Sequence, residues 1–175
     1  QALVYLFMAA SNMTAEEYKK TLNAFIEQYP NSYDGYIRRA TLYMSSGDST
    51  QYTLAEEDLN KAIEVAANKA EARHSVAKNI HSYMLSLNGK EPFEAWNYDK
   101  ALDIIRQAIQ EEALPIYIQL EGDILFAQQK YEEAYKSYEK VNHSEMASPA
   151  TFYSAAKTKQ LIEGADFNEA IALMD

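Results

Sequence analysis

One pattern recurs along the chain, and it restricts the fold more than any other sequence feature. An aromatic residue is followed three positions later by a small residue, and a large residue comes four positions after that. The copies are Tyr18, Thr21 and Phe25; Tyr52, Ala55 and Leu59; Tyr98, Ala101 and Ile105; Tyr131, Ala134 and Tyr138; Phe167, Ala170 and Met174. They begin 34, 46, 33 and 36 residues apart. Offsets of three and four place these side chains on one face of an α-helix, where the small residue lets another helix approach closely.

A second helical segment precedes the pattern, with a small residue and a large one three positions later, as in Ala40 and Tyr43. Gly (5) and Pro (4) are too scarce for many short strands and turns. Pro30, Pro115 and Pro149 fall between the segments, as expected because Pro ends helices. We therefore predict paired helices at approximately 2–10, 15–28, 33–45, 52–67, 70–87, 98–112, 115–128, 131–141, 149–162 and from 167 onward.

The helix pairs and their period of about 34 residues resemble the tetratricopeptide repeat, which places Ala on its second helix at this spacing. The segments Tyr36–Val65 and Gly122–Val141 match best. Four positions depart from the usual pattern: Thr21 for Ala, Arg39 and Glu121 for Leu, and Thr158 for Gly. The resemblance implies an all-α, right-handed α-α superhelix, a solenoid of antiparallel helix pairs.

On these boundaries the chain is one repeat domain of about five units, roughly 1–31, 32–68, 69–113, 114–147 and 148–175. The first predicted helix is strongly apolar, and the last copy of the pattern breaks off near Asp175. Solenoids need polar surfaces on their terminal repeats. We therefore expect a fragment of a longer chain, in which further repeats or another domain cover the ends.

The interval of 46 residues holds an insertion at 88–97, which contains Trp96, the only Trp of the chain. An insertion of this kind can be a binding loop carried by a rigid scaffold. The alternative, which we favour because an aromatic side chain gains most by burial, is a structural role. In that case Phe93 and Trp96 cover the end of the preceding helix near Tyr83 and Leu87.

Composition and motifs exclude several classes of function. A net charge of −10 is unfavourable for general binding of nucleic acid or anionic membranes. No apolar run reaches the roughly 18 residues that a membrane span needs. There is no Cys, no glycine-rich phosphate loop and no His-Glu-x-x-His motif, so we predict neither an enzyme nor a cofactor. The acidic clusters, such as Glu56 to Asp58, are interpreted as solvated groups near helix starts. Localisation stays open.

His74 and His81 lie seven residues apart, two helical turns or about 10.5 Å along one stripe. A single metal ion does not readily bridge that distance, because its ligands sit about 2 Å away. We therefore predict no metal site and interpret the two histidines as part of a polar groove wall. A small-molecule or metal site at this wall remains the alternative.

In the tetratricopeptide repeat the first helix of each unit lines a concave groove that takes an extended peptide or a partner's helix. The resemblance places these residues in the groove: Ile37, Arg38, Thr41, Met44, His74, Ser75, Lys78, His81, Gln119, Asp123, Phe126, Phe152, Ala156 and Lys159. Cations outnumber carboxylates among them, which favours an acidic partner segment. Ordinary solvated helix residues are the alternative interpretation. The five-residue clamp with which one subfamily holds chaperone tails does not match.

The sequence thus predicts a non-catalytic protein-binding module or scaffold that holds a peptide or partner helix in its groove. Two alternatives stay open. The array could be the docking or regulatory part of a larger enzyme or membrane-associated protein, or it could bind a small molecule or metal.

Overall fold

The computed structural model describes residues 13–163, and this part of the chain contains α-helices and no strand. One short 3₁₀ helix, Ser49–Gln51, lies in the loop before the third helix. The α-helices are α1 Ala15–Gln28, α2 Tyr33–Ser45, α3 Tyr52–Val65, α4 Lys69–Ser86, α5 Tyr98–Glu111, α6 Pro115–Ala127, α7 Tyr131–Asn142 and α8 Pro149–Glu163. These bounds lie within two residues of the predicted ones. The predicted helices at 2–10 and from 167 onward lie outside the described residues.

Capping residues and a proline determine where several of the helices begin. Thr14 and Glu17 form a capping box before α1, in which each side chain accepts a hydrogen bond from the other residue's backbone N–H. Asn68 and Asn97 cap α4 and α5 through their side-chain oxygens. Pro115 opens α6, where its missing N–H costs nothing.

Each α-helix packs against the next one in sequence, and α4 also contacts both α2 and α6. The helices α2, α4 and α6 therefore form one continuous layer, which we call the first-helix layer. The pairs α2–α3, α4–α5 and α6–α7 are the repeating units. Small residues lie where the helices of a pair meet, and Ala40, Ala55, Ala77, Ala101 and Ala134 are completely buried.

Two of the departures from the repeat pattern are charged residues that find partners inside the fold. Arg39 donates two hydrogen bonds to the buried Asp58 carboxylate, Nε to Oδ2 at 2.8 Å and Nη2 to Oδ1 at 2.7 Å. Glu121 accepts from Arg106 Nε at 2.8 Å and from the Ser137 hydroxyl at 3.0 Å. Arg39 is thus neutralised within the α2–α3 pair and Glu121 by Arg106 of the preceding unit, because an unpaired charge would be costly there.

The same two positions of the intervening repeat are occupied by Val76 and Ile104, which belong to the apolar core. The interpretation of the acidic clusters as solvated is therefore wrong for Asp58, which is 5% exposed. It is also wrong for Glu56, whose carboxylate accepts hydrogen bonds from Lys100 Nζ and Trp96 Nε1.

The insertion has the structural role that we favoured. Trp96 is completely buried, and its indole packs within 5.3 Å, centroid to centroid, of Tyr52, Tyr83 and Phe93. The indole N–H donates to Glu56 Oε2 at 2.7 Å, and the backbone N–H of Phe93 donates to the Tyr83 hydroxyl at 3.0 Å. The insertion therefore ties α3 to the end of α4.

The ion pair of α2 and α3 should be replaceable by the apolar pair of the next repeat. Asp58→Ile alone leaves Arg39 without its main partner and should destabilise the fold by roughly 2–4 kcal/mol, since Arg39 keeps some solvent. Adding Arg39→Val should restore stability to within about 1 kcal/mol of the parent. Urea unfolding followed by circular dichroism measures both. Lys61→Ala, at the exposed pair with Glu64, is the control and should cost less than about 0.5 kcal/mol. A double variant less stable than Asp58→Ile would contradict the expectation.

Trp96→Phe keeps most of the buried ring but removes the donor to Glu56. We expect a loss of about 1–3 kcal/mol in the free energy of unfolding, from the lost hydrogen bond and the smaller ring. In a Glu56→Ala background the same substitution should cost less, because its acceptor is already gone. Equal losses in both backgrounds, measured by urea unfolding with circular dichroism, would show that the hydrogen bond adds nothing.

Candidate partner-binding groove

Three cavities follow one another along the first-helix layer. The first lies between α1 and α2, has a volume of about 400 Å³ and is called the Arg38 cavity. It is lined by Tyr18, Asp34, Ile37, Arg38, Thr41, Leu42 and Ser45. Burial raises the pKa of the Asp34 carboxyl, and the charge of Arg38 opposes that rise. This cavity therefore contains the predicted groove residues Ile37, Arg38 and Thr41.

The second cavity, of about 170 Å³, lies between α2 and α4 and is called the Thr41 cavity. The Thr41 hydroxyl donates to Asn79 Oδ1 at 2.6 Å, which connects the two helices. Met44 borders this cavity but is only 7% exposed, and its side chain belongs to the apolar core. Most of the Met44 surface is thus buried by packing, and little of it is left for a partner.

The third cavity is the largest, at about 590 Å³, and is called the His81 cavity. It opens between α4, α6 and α8, with α7 contributing two tyrosines. Its lining residues are His81, Leu85, Asp123, Phe126, Ala127, Gln129, Tyr131, Tyr138, Tyr153, Ser154 and Lys157. Three predicted groove residues, His81, Asp123 and Phe126, meet in this cavity.

Polar groups of the His81 cavity are poorly solvated. The Tyr138 hydroxyl donates to Asp123 Oδ1 at 2.8 Å, and burial raises the pKa of the Asp123 carboxyl. His81 is 8% exposed, and its Nδ1 has no hydrogen-bond partner among the described residues. Burial lowers the pKa of His81, against the opposing charge of Asp123, which favours the neutral imidazole at pH 7.

The aromatic part of the cavity already interacts with a cation. Lys157 Nζ lies 5.2 Å from the centroid of the Phe126 ring, within the range of a cation–π interaction. Tyr131 meets the same ring edge-on at 5.4 Å. Leu85 and Tyr153 are the large apolar residues of the lining that are exposed, at 58% and 52%.

The other predicted groove residues lie outside the linings of these three cavities. His74 is half-buried with its ring 4.9 Å from Tyr117, and burial and the charge of Lys78 lower its pKa. Lys78 is exposed, whereas Gln119 and Lys159 are half-buried. His74 and His81 are therefore weaker contributors of positive charge than the sequence suggested.

Sequence reasoning missed several residues of the His81 cavity. In α8 it selected Phe152, Ala156 and Lys159, but the helix presents Tyr153, Ser154 and Lys157 to the cavity. Tyr153 and Lys157 are an aromatic and a cation one helical turn apart, a spacing that could have indicated them. The two tyrosines of α7 were assigned only to packing, because the pattern gives a second helix no part in the groove.

The described residues contain no group of three or more His, Asp or Glu side chains placed to hold a metal ion. Within the same part of the chain, no helix is long and apolar enough to cross a membrane.

The fold is similar to solved structures of tetratricopeptide-repeat proteins. A crystal structure of MamA superposes with a TM-score of 0.62 and 16% identity, over 90% of this chain and 78% of that one. A second MamA structure gives the same score and identity over 90% and 83%. PilF of Pseudomonas aeruginosa gives a TM-score of 0.65 and 17% identity, over 98% of this chain and 72% of PilF. No protein-family model and no curated protein matches the chain. The predicted all-α, right-handed superhelix of tetratricopeptide type is thereby confirmed.

Gly122 is the residue that places Tyr138 in the His81 cavity. A Cβ atom at Gly122 would lie 2.8 Å from Tyr138 Cε1, too close for an unshifted ring. Gly122→Ala should therefore destabilise the fold by about 1–2 kcal/mol, since overpacking outweighs the gain in helix propensity. Urea unfolding measures the effect, and Gln107→Ala at an exposed position of α5 is the control for propensity. A Gly122→Ala variant more stable than the parent would contradict the close approach.

Proposed function

We propose that the chain is a non-catalytic scaffold that binds a segment of a partner protein along the first-helix layer. The observation that carries the proposal is the row of three cavities on that layer, which continues to α8. Side chains of an extended segment or of a partner's helix would enter the cavities in turn.

The shape and chemistry of the cavities support this function. Recognition sites combine apolar surface with a few placed polar groups, and aromatic residues are enriched in them. The His81 cavity has both, with exposed Leu85 and Tyr153 at the surface and Asp123 deeper. The Thr41 hydroxyl contact to Asn79 holds α2 and α4 together beneath the same surface.

The acidic partner predicted from the sequence is proposed here for one part of the groove. Arg38 lines the first cavity, and Lys78 is exposed on α4, the helix that follows α2 in the layer. A carboxylate-bearing segment would be attracted to this end. The pKa values of His74 and His81 are lowered, so these residues add little to the attraction at neutral pH.

A small-molecule site is the second candidate, because about 590 Å³ falls within the range of ligand pockets, roughly 300–1,000 Å³. The same surface would also serve as the docking array of a larger enzyme or membrane-associated protein, in which case the bound segment belongs to that assembly.

Site-specific photocrosslinking tests the proposal. A benzophenone amino acid is introduced at Ser45 or Leu85, both exposed and both lining cavities, and at Gln107 on α5 as the control. In extract of the source organism, the two groove positions should crosslink the same partner protein and Gln107 should not. Crosslinking from Gln107 alone would move the binding surface to the opposite helices. If no protein adduct forms and mass spectrometry finds a small molecule retained by the chain, the second candidate is favoured.

A charge-reversal variant tests the preference for an acidic segment in the same assay. Lys78→Glu should reduce the yield of the Ser45 adduct severalfold if the segment is acidic, because attraction becomes repulsion. Lys136→Glu, at an exposed position of α7, makes the same change of charge away from the layer and should leave the yield unchanged. Equal yields for both variants would remove the acidic preference and leave the groove itself in place.

A further inference from the structure

The carboxylate of Asp123 lines the His81 cavity, and the one lysine of that lining, Lys157, lies over the Phe126 ring and forms no ion pair with that carboxylate. It accepts one hydrogen bond, from the Tyr138 hydroxyl at 2.8 Å, and within residues 13–163 it forms no ion pair. Burial raises its pKa, which reflects the cost of keeping the charge there. Burial lowers the pKa of His81, which lines the same cavity, so this residue supplies no full positive charge.

Hydrogen-bonding capacity is left unused at the same place. One tautomer of His81 leaves the unpartnered Nδ1 as an acceptor, but this atom is buried and an entering group does not reach it directly. Asp123 Oδ2 has no hydrogen-bond donor among the described residues either. A group that enters the cavity with several N–H donors can therefore satisfy the Asp123 carboxylate.

The surrounding rings fit a cation as well as an apolar stem. Phe126, Tyr131 and Tyr153 line the cavity, and Lys157 Nζ already lies over the Phe126 ring at 5.2 Å. Lys157 is exposed, so it can leave that ring when a competing cation arrives. Aromatic faces beside a carboxylate are a recurrent means of recognising ammonium and guanidinium groups.

Other occupants fit the cavity less well. A purely apolar side chain would remove water from Asp123 without replacing it, and an acidic side chain would meet the like charge of Asp123. Arginine meets each requirement, because its planar guanidinium carries five N–H donors and stacks on aromatic rings.

We propose that the His81 cavity receives a basic side chain of the partner, arginine in the first place, between the Asp123 carboxylate and the aromatic rings. The inference rests on the proposed binding of a partner segment along the first-helix layer. Together the two proposals define the direction of the bound segment. Its acidic residues lie near Arg38 and Lys78, and its basic residue lies in the His81 cavity.

Blocked tripeptides test the cavity directly. The probes are acetylated and amidated alanyl-X-alanine, in which X is arginine, its uncharged analogue citrulline, or glutamate. Each is titrated into the full chain while NMR follows the ring signals of Phe126 and the cavity tyrosines. We expect dissociation constants of about millimolar order for arginine and about tenfold weaker binding of citrulline. Glutamate should bind no better than citrulline.

Three variants separate this cavity from a general effect of charge. Asp123→Asn should abolish the preference for arginine over citrulline, whereas Asp103→Asn, on the exposed face of α5, should retain it. Lys157→Gln should strengthen arginine binding severalfold, because it removes the competing cation from the Phe126 ring. A merely structural Lys157 would not produce that gain. Circular dichroism shows whether each variant is folded.

Equal binding of arginine and citrulline, preference for glutamate, or no binding of arginine would each overturn the proposal. If Asp123→Asn does not fold, the response of Lys157→Gln decides, since weaker or unchanged arginine binding contradicts a cation site.

The two proposals can fail separately. A Leu85 crosslink without arginine preference leaves the groove and removes the cation site. Arginine preference without any crosslink leaves the cation site and overturns the proposed scaffold function.

Discussion

The distance between paired helices depends on a small side chain at the point where they meet. Ala40, Ala77 and Gly122 occupy that point in three successive first helices, and a large residue of the partner helix fills the adjacent space. Where the small residue is Gly122, the ring of Tyr138 lies so close that even a Cβ atom would meet it. The Tyr138 hydroxyl thereby reaches Asp123. A packing requirement of the fold thus determines the chemistry of its largest described cavity.

Charged residues inside the helix pairs add a second constraint, on which helices can pair. The same two positions hold Arg39 and Asp58 in one repeat, Val76 and Ile104 in the next, and Glu121 and Ser137 in the one after. If α2 packed on α5, the charge of Arg39 would meet the apolar Ile104. If α6 packed on α3, Glu121 would meet the like charge of Asp58. Such pairings would leave a buried ion without a partner, which costs several kcal/mol, about 3–5. Repeats of similar shape are therefore kept in order along the solenoid.

The helices were predictable from the sequence because their signals are local. The aromatic pattern, the prolines and capping residues such as Asn68 and Asn97 lie close together in the chain, and each helix begins or ends within two residues of its predicted bound. The pairing of Glu56 with Trp96 and Lys100 was not predictable, since it joins residues 40 and 44 positions apart. A repeat pattern indicates which face a residue occupies, but it does not say which charge it meets across the interface.

In the candidate groove, too, the position of a residue on its helix was predictable from the sequence, but its surroundings were not. The position that follows the small residue of each first helix is Thr41, Lys78 and Asp123 in turn, and the sequence assigned all three to the groove. Their environments differ because of contacts from other helices: Thr41 hydrogen-bonds to α4, Lys78 stays in solvent, and Asp123 lies beneath a tyrosine of α7. Folding alone would favour an uncharged residue at the last position, because a partly buried carboxylate without an ion pair lowers stability. That cost is offset when a bound segment supplies the missing charge, so a position that folding disfavours is one where a ligand can gain.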